Sequence, residues 1–447
     1  MKKLFGTDGI RGKAYSELSE ELAYKVGYCL ICALKERGAE SPRVLIGMDT
    51  RESSEVLAAS LEKGITEAGG SSLTVGVCPT PAVAYLLIKH GCDSGVVISA
   101  SHNPYEYNGI KVFGCDGFKL SDDLEERIEA LVDQKQSYEV CSTIGTKEKM
   151  PEGAQEYIDY LYSSFGVDLS GLRVGLDCSN GAAAATAEAL FSRLGCQCYM
   201  TGNTPNGVNI NEKCGSTHID ALQAFVINNR LDVGIAFDGD ADRCIAVDEK
   251  GREIDGDYVM AILALKLKAE GRLNKNAVVG TVMNNLGFEI FCKENQIDLI
   301  RTKVGDRYVL EEMNRRGYSL GGEQSGHIII RHLSTTGDGQ LTAVALLSCL
   351  KESGKSLSAL ADVMRKYPQY MINIEADRDA KDKFASDPAI KEILELAGKQ
   401  AEGAGRILVR ASGTEPLIRV MTEGRDAAFA EGLCVDTAEK LKQALKA

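Results

Sequence analysis

The chain has 447 residues, more than one hydrophobic core usually organises, so three or four domains with clefts between them are expected. Hydrophobic residues at 44% and charged residues at 26% exclude a disordered chain, and 46 glycines point to many tight turns. A formal charge of −13 excludes a nucleic-acid surface, which needs clustered Lys and Arg, so an anionic substrate must be met by locally gathered cations.

The start Met1-Lys2-Lys3 resembles a signal only briefly, because Asp8 and Arg11 arrive before any apolar segment. No run approaches the roughly 18 apolar residues of a membrane span. The 14 cysteines show no repeated metal spacing and are expected as reduced thiols in a cytoplasmic protein.

Gly6-Thr7-Asp8-Gly9-Ile10-Arg11-Gly12 is a Gly-rich opening with one cation. Residues 16–35 read as an amphipathic helix with Leu18, Leu22, Val26 and Leu30 four apart, and its Cys29 and Cys32 read as packing residues. Residues 43–49 followed by 53–69 read as a strand, a polar turn and a helix. The β-branched run Gly95-Val96-Val97-Ile98 reads as a buried strand delivering the loop Ser99-Ala100-Ser101-His102-Asn103-Pro104 at its carboxyl end, where open α/β sheets place ligand chemistry. Ser101 is expected on an exposed tip, and Pro104 gives the loop a fixed shape. Lys111 follows an expected turn at Asn108-Gly109.

After a polar boundary near 135–152, the same unit recurs. Residues 172–177 and 180–195 repeat the strand and helix, and 277–282 with 286–296 form a weaker third copy. Residues 93–101 lie without a gap over 232–240, which sets Ser101 opposite Asp240. In the third copy 318–322 leads into Glu323-Gln324-Ser325-Gly326-His327, so three polar loops are expected to face one cleft. Beyond a boundary near 366–369 the pattern changes. Strands at 371–374, 406–410 and 417–423 with helices at 388–400 and 426–445 give a smaller α+β domain. The expected architecture is three similar α/β domains with mixed sheets, at 1–150, 151–252 and 253–367, and a C-terminal α+β domain at 368–447.

Asp238-Gly239-Asp240-Ala241-Asp242-Arg243 sets carboxylates at alternate positions directly after a strand, which suits a hard divalent cation such as Mg²⁺. A Ca²⁺ EF-hand would place Glu249 twelfth, but Arg243 stands where that loop needs Gly and the flanks are strand-like. Arg410-Ala411-Ser412-Gly413-Thr414-Glu415-Pro416, closed by Arg419, offers hydroxyls, backbone N–H groups and two guanidinium groups; it reads equally as a phosphate cradle or a polar hairpin. Glu323 to His327 suits sugar hydroxyls or a capping turn. Neither G-x-x-x-x-G-K-[ST] nor G-x-G-x-x-G occurs, so ATP and NAD are not expected as substrates.

Taken together, Gly6 to Gly12, Ser99 to Pro104 with Asn108-Gly109-Ile110-Lys111, the run from Asp238, Gly322 to His327 and Arg410 to Pro416 resemble the α-D-phosphohexomutase superfamily across essentially the whole chain. Gln324, where relatives acting on glucose and mannose phosphates commonly carry Met, resembles the glucosamine branch; Tyr105-Glu106-Tyr107 is less typical. The resemblance implies four domains around a central cleft and a phosphorylated Ser101 whose phosphate, with Asp238, Asp240 and Asp242, holds one Mg²⁺ per chain. It implies that Arg243 assists the phosphoryl group, that Glu323, Ser325 and His327 hold sugar hydroxyls, and that Arg410, Ser412, Gly413, Thr414 and Arg419 grip the non-reacting phosphate. Arg11, Lys111 and His327 are implied in proton transfer and charge stabilisation. The implied activity interconverts glucosamine 6-phosphate and glucosamine 1-phosphate through glucosamine 1,6-bisphosphate, supplying UDP-N-acetylglucosamine synthesis and cell-wall precursors. A hinging fourth domain and a homodimer without nucleic-acid or membrane partners are further expectations. His102 beside Ser101 reads as a bystander to a phosphate carrier, not as the base of a Ser–His dyad.

Overall fold

A computed structural model describes residues 4–6, 8–134, 137–412 and 416–446. The chain divides into two compact units, Met1–Met283 with Ile297–Val363 and Asn284–Gln296 with Met364–Ala447. Among the described residues no helix is long and apolar enough to cross a membrane.

Three sheets build the first unit. The first holds β1 (Ile10–Lys13), β2 (Arg43–Met48), β3 (Ser71–Val77), β4 (Ser94–Ile98), β5 (Tyr107–Gly114) and β6 (Lys147–Lys149) in the order β1-β5-β4-β2-β3-β6. The second holds β7 (Arg173–Asp177), β8 (Gln197–Thr201), β9 (Val233–Phe237), β10 (Cys244–Asp248) and β11 (Glu253–Ile254) in the order β11-β10-β9-β7-β8. The third holds β12 (Ala277–Thr281), β13 (Asp298–Thr302), β14 (Leu320–Gly322) and β15 (Ile328–Ile330) in the order β13-β12-β14-β15.

One plan underlies all three. Two parallel strands come first, a third inserts parallel on the other side of the first, and a fourth folds back antiparallel on the third. The recurring sequence segments are therefore recurring topology, and the three polar loops are the connections β4–β5, β9–β10 and β14–β15. β4, β9 and β12 are buried at every position, which is why they read as unbroken apolar runs: strands covered on both faces have no polar side to show.

The first helix spans Glu20–Glu36, capped by the Ser19 hydroxyl accepting from Leu22 N–H, with Glu20 and Glu21 in its first turn. It starts later than the apolar spacing suggested, since Leu18 is held outside it by a bridge to Ala14. Its Gly27 packs against the helix Glu52–Glu67 so closely that a Cβ there would lie 2.3 Å from Leu61 O. Cys29 is buried and Cys32 is half-buried.

Two local expectations need correction. Asn108-Gly109 is not a turn: it lies in β5, where the Asn108 amide donates to Ser53 and Ser54 Oγ, and a Cβ at Gly109 would sit 2.4 Å from Ser99 O. The helix expected over 180–195 is broken into a 3₁₀ turn, Ala182–Ala185, and a short helix, Ala187–Arg193. Tertiary ties explain the break. Ala182 N–H donates to Gly239 O, Gln340 donates to the Thr186 hydroxyl, and Ser179 and Asn180 are left-handed at φ 50 and 48.

The second unit is an antiparallel sheet of β16 (Gln369–Glu375), β17 (Gly405–Ala411) and β18 (Leu417–Gly424), ordered β16-β18-β17. Ile374, Ile390, Ile418, Val420, Cys434 and Leu441 form its core beneath the helices Pro388–Ala401 and Ala427–Lys446. The helix Leu286–Glu294, read from sequence as part of the third copy, packs in this unit. Fully buried Glu423 holds it: Oε2 accepts Leu286 N–H at 2.8 Å and Arg406 Nε at 2.6 Å, and Oε1 accepts the Asn285 amide at 3.2 Å.

Candidate active site

The Ser101 loop is held by its own backbone carbonyls. Arg51, 2% exposed, donates from its guanidinium to Ser101 O and Asn103 O at 2.9 Å each, to Tyr107 O at 2.9 Å and to Pro104 O, and pairs with Asp49 at 2.8 Å. Asn211, from the second repeat, donates to Ser101 O at 2.9 Å and Asn103 O at 3.1 Å. The Ser99 hydroxyl bonds Asp49 and accepts Ser101 N–H. These bonds keep Ser101 at φ 52, a left-handed conformation that a non-glycine residue holds only when its surroundings over-determine it.

Ser101 is not on an exposed tip; it is 1% exposed, because the β9–β10 loop covers it. Its hydroxyl donates to Asp238 Oδ2 at 2.5 Å. His102 Nδ1 lies 3.4 Å from the same oxygen, and burial, then Arg243 and Arg11, push this imidazole down to about 4. It is therefore neutral near pH 7, and too weak a base to compete with the carboxylate for the hydroxyl proton.

Asp238, Asp240 and Asp242 are buried, and one carboxylate oxygen from each lies within 4.8 Å of the others. Burial, reinforced by Asp242 and Asp240, pushes Asp238 well above the usual carboxylate range. Asp242 moves the other way: burial opposes its charge, but Lys111, His327 and Arg243 outweigh it. Asp240 Oδ2 accepts from Lys111 at 2.7 Å and from the Thr80 hydroxyl at 2.6 Å. Among the described residues, Asp240 Oδ1 and Asp242 Oδ1 are buried without a hydrogen-bond partner. Unsatisfied buried carboxylate oxygens are costly, and three converging acids with two such oxygens fit a hard divalent cation. Arg243 stands beside them, Nε 3.9 Å from Asp238 and 3.8 Å from Asp242. Glu249 takes no part; it accepts Ser358 N–H at 3.1 Å and the Ser358 hydroxyl.

Lys111, 2% exposed, reaches Asp240 at 2.7 Å, Asp8 at 3.2 Å and Asp242 at 3.5 Å. Burial disfavours its charge, but Asp240, Asp8 and Asp242 raise it well above the ordinary lysine value. Arg11 pairs with Asp8.

From the third repeat, His327 Nδ1 lies 3.6 Å from Asp242 and Nε2 3.8 Å from Asp306. Burial works against its charge, yet Asp242, then Asp306 and Glu323, push it up to about 9. Gly337 N–H lies 3.1 Å from Nε2, a bond that needs the neutral Nδ1–H form. Protonating Nε2 exchanges that neighbour for Asp306, so the ring has a defined place in either state. Glu323 Oε1 accepts Gly305 N–H at 3.1 Å, and the Gln324 amide donates to Asp255 at 3.1 Å. Ser325 is exposed.

In the second unit Arg410 and Arg419 face each other across β17 and β18. Burial and the Arg419 charge lower Arg410, and like charges directly opposite on a sheet repel unless an anion lies between them. Ser412 N–H donates to Leu417 O at 2.8 Å, and Lys381 donates to Ser412 O at 2.7 Å. Gly413 and Thr414 lie outside the described residues.

The fold thus brings together Ser101, the three aspartates, Arg243, Lys111 and His327, with Arg11 joined through Asp8. Sequence reasoning missed Arg51, Asp49, Asn211, Thr80, Asp8, Lys119 and Asp306. The polar Asp49-Thr50-Arg51 turn after β2 was a usable signal for the first two; Asn211 had none.

Models of the phosphoglucomutase/phosphomannomutase family match throughout: alpha/beta/alpha domain I at 2–139, domain II at 155–251, domain III at 255–367 and the C-terminal domain at 371–440. The phosphoglucosamine mutase of Clostridium botulinum (strain Loch Maree / Type A3) is 48% identical over 450 residues, covering 100% of both chains. Among solved structures, a phosphoglucomutase/phosphomannomutase family protein of Burkholderia thailandensis shares the fold at a TM-score of 0.83 and 23% identity, over 99% of this chain and 98% of that one. The N-acetylphosphoglucosamine mutase of Aspergillus fumigatus, solved with GlcNAc-6P and magnesium, has a TM-score of 0.69 and 17% identity, over 99% and 96%. Four domain models in order and full-length identity at this level place the chain in the phosphoglucomutase/phosphomannomutase family, the α-D-phosphohexomutases, alongside the phosphoglucosamine mutases.

Proposed function

We propose that the chain interconverts glucosamine 6-phosphate and glucosamine 1-phosphate, with Ser101 as the phosphoryl carrier. The observation that carries this reading is the Ser101 hydroxyl 2.5 Å from Asp238, inside a buried group of three carboxylates flanked by Arg243 and Lys111. Full-length likeness to a phosphoglucosamine mutase supports the sugar.

In the forward direction the P–Oγ bond of phosphoserine breaks and a bond forms to O1 of glucosamine 6-phosphate, giving glucosamine 1,6-bisphosphate. The proton of the attacking hydroxyl ends on the departing Ser101 Oγ; of Arg11, Lys111 and His327, His327 in its neutral form has the free ring nitrogen to relay it, while Arg11 and the charged Lys111 stabilise charge. The bisphosphate then turns, its 6-phosphoryl group returns to Ser101 Oγ, and glucosamine 1-phosphate leaves. On this return the P–O6 bond breaks and the proton of Ser101 ends on the departing O6. Asp238, Asp240 and Asp242, with the phosphate on Ser101, would hold one Mg²⁺, which supplies charge neutralisation on the phosphoryl oxygens when bound. Arg243 serves the same oxygens. Glu323, Ser325 and His327 hold sugar hydroxyls, while Arg410, Ser412, Gly413, Thr414 and Arg419 grip the phosphate that is not reacting. A cytoplasmic homodimer feeding amino-sugar nucleotide synthesis belongs to the same proposal.

Intact-mass analysis after incubation with glucosamine 1,6-bisphosphate tests the carrier. One phosphoryl group is expected on the native chain and none on Ser101→Ala, which should also lose turnover by more than about 10⁴-fold while still binding substrate. Residual turnover in Ser101→Ala near the native rate would exclude the covalent route.

A further inference from the structure

Lys119 has no part in the reaction as written above, yet its surroundings are those of a working residue. Its side chain is 15% exposed, in the segment between β5 and the helix Asp122–Gln134. The ammonium lies 2.5 Å from Asp8 Oδ1 and 2.5 Å from Asp306 Oδ2.

Each of these acids leads to a different part of the site. Asp8 pairs with Arg11 and lies 3.2 Å from Lys111. Asp306 begins the helix Asp306–Arg316, its Oδ2 is 3.8 Å from His327 Nε2, and the preceding residue, Gly305, donates its N–H to Glu323. Lys119 therefore ties Arg11 and Lys111 of the first repeat to His327 and Glu323 of the third. The tie closes a circuit of six side chains in which acids alternate with basic groups: Asp8, Lys111, Asp242, His327, Asp306 and Lys119.

An exposed lysine between two acids would add little, because water screens it. Here the pairs are largely desolvated, so removing the cation leaves two acids to find other partners. Asp306 would then address His327 alone and compete with Asp242 for the ring. Asp8 would draw Lys111 away from Asp240 and Asp242. Both shifts displace groups that must meet the same phosphosugar.

We propose that Lys119 and Asp306 are positioning residues, a clasp between the first and third repeats that holds Lys111 and His327 in register; this rests on the mutase reading above. The clasp acts through Lys111 and His327, so its loss should lower kcat far more than it raises KM.

The test compares Lys119→Met, Lys119→Arg, Asp306→Asn and the double variant K119M/D306N with the native chain. Each is assayed for kcat and KM on glucosamine 6-phosphate with Mg²⁺ and a trace of glucosamine 1,6-bisphosphate, and its Tm is recorded. K119M and D306N should each lose at least about thirtyfold in kcat with KM within about threefold. K119R should recover most of the loss. The double variant should be no worse than about twofold below K119M, because one break already opens the circuit. A K119M enzyme within about threefold of the native kcat, a K119R enzyme as poor as K119M, or losses that multiply in the double variant would each overturn the clasp. Where K119M does not fold, D306N with full kcat overturns it equally. A native chain that turns over glucose 6-phosphate but not glucosamine 6-phosphate overturns the choice of sugar instead, and the same variants then test the clasp on glucose 6-phosphate.

Discussion

Asp240 uses its two carboxylate oxygens differently. Oδ2 is taken by Lys111 and Thr80, while Oδ1 is buried with no hydrogen-bond partner among the described residues. A cation that binds only the folded chain stabilises it by mass action. Millimolar Mg²⁺ should therefore raise the Tm of the native chain, and Asp240→Asn should abolish the rise; an equal rise in both would place the cation elsewhere. The three acids were legible because their chemistry lies in adjacent residues after one strand. Arg51 was not, since apart from Asp49 beside it in the β2 turn its partners are backbone carbonyls between Ser101 and Tyr107, far along the chain. Burial of Ser101 was hidden for a related reason: what covers it is contributed by another repeat.

At the scale of elements, each polar loop is the crossing from a parallel to an antiparallel neighbour, and the helices beside them are fixed by buried acids. Asp338 caps the helix Gly339–Ser353 through Leu341 N–H at 2.9 Å, and Tyr157 donates to both its oxygens at 2.8 Å. Burial pushes its carboxyl up to about 6, against those bonds. Because this acid binds its proton more readily folded than unfolded, its ionisation costs stability above pH 6, and the cost is relieved as pH falls toward 4. The effect is at most about 3 kcal/mol at roughly 1.4 kcal/mol per pKa unit. The Tm of the native chain relative to Asp338→Asn should accordingly rise between pH 7.5 and 5; a constant difference would contradict the assignment. In the second unit, Glu423→Ala removes the partner of Arg406, the Asn285 amide and Leu286 N–H together. It should destabilise that unit by about 3–5 kcal/mol, read as an earlier unfolding step, whereas an unchanged transition would show that Glu423 anchors nothing. The helix Leu286–Glu294 was legible as a helix but not as part of this unit, because its anchor lies more than a hundred residues further along.

Across the whole molecule, one supersecondary plan used three times explains why Ser101, the aspartates and His327 lie together though they are spread along the chain. That three units share one succession of strands, loops and helices was legible in the recurring segments; the order of the strands in each sheet came from the structure. The joints between repeats, such as Lys119 with Asp306, were not legible, because a single charge in a loop or at a helix start carries no period. Selectivity of this chain for an amino sugar phosphate is tested most directly by initial rates on glucosamine, glucose and mannose 6-phosphates, measured side by side with Mg²⁺ and a trace of the matching bisphosphate. For glucosamine 6-phosphate, kcat/KM is expected to exceed the other two by at least about tenfold; equal or higher values for a neutral sugar would contradict that selectivity.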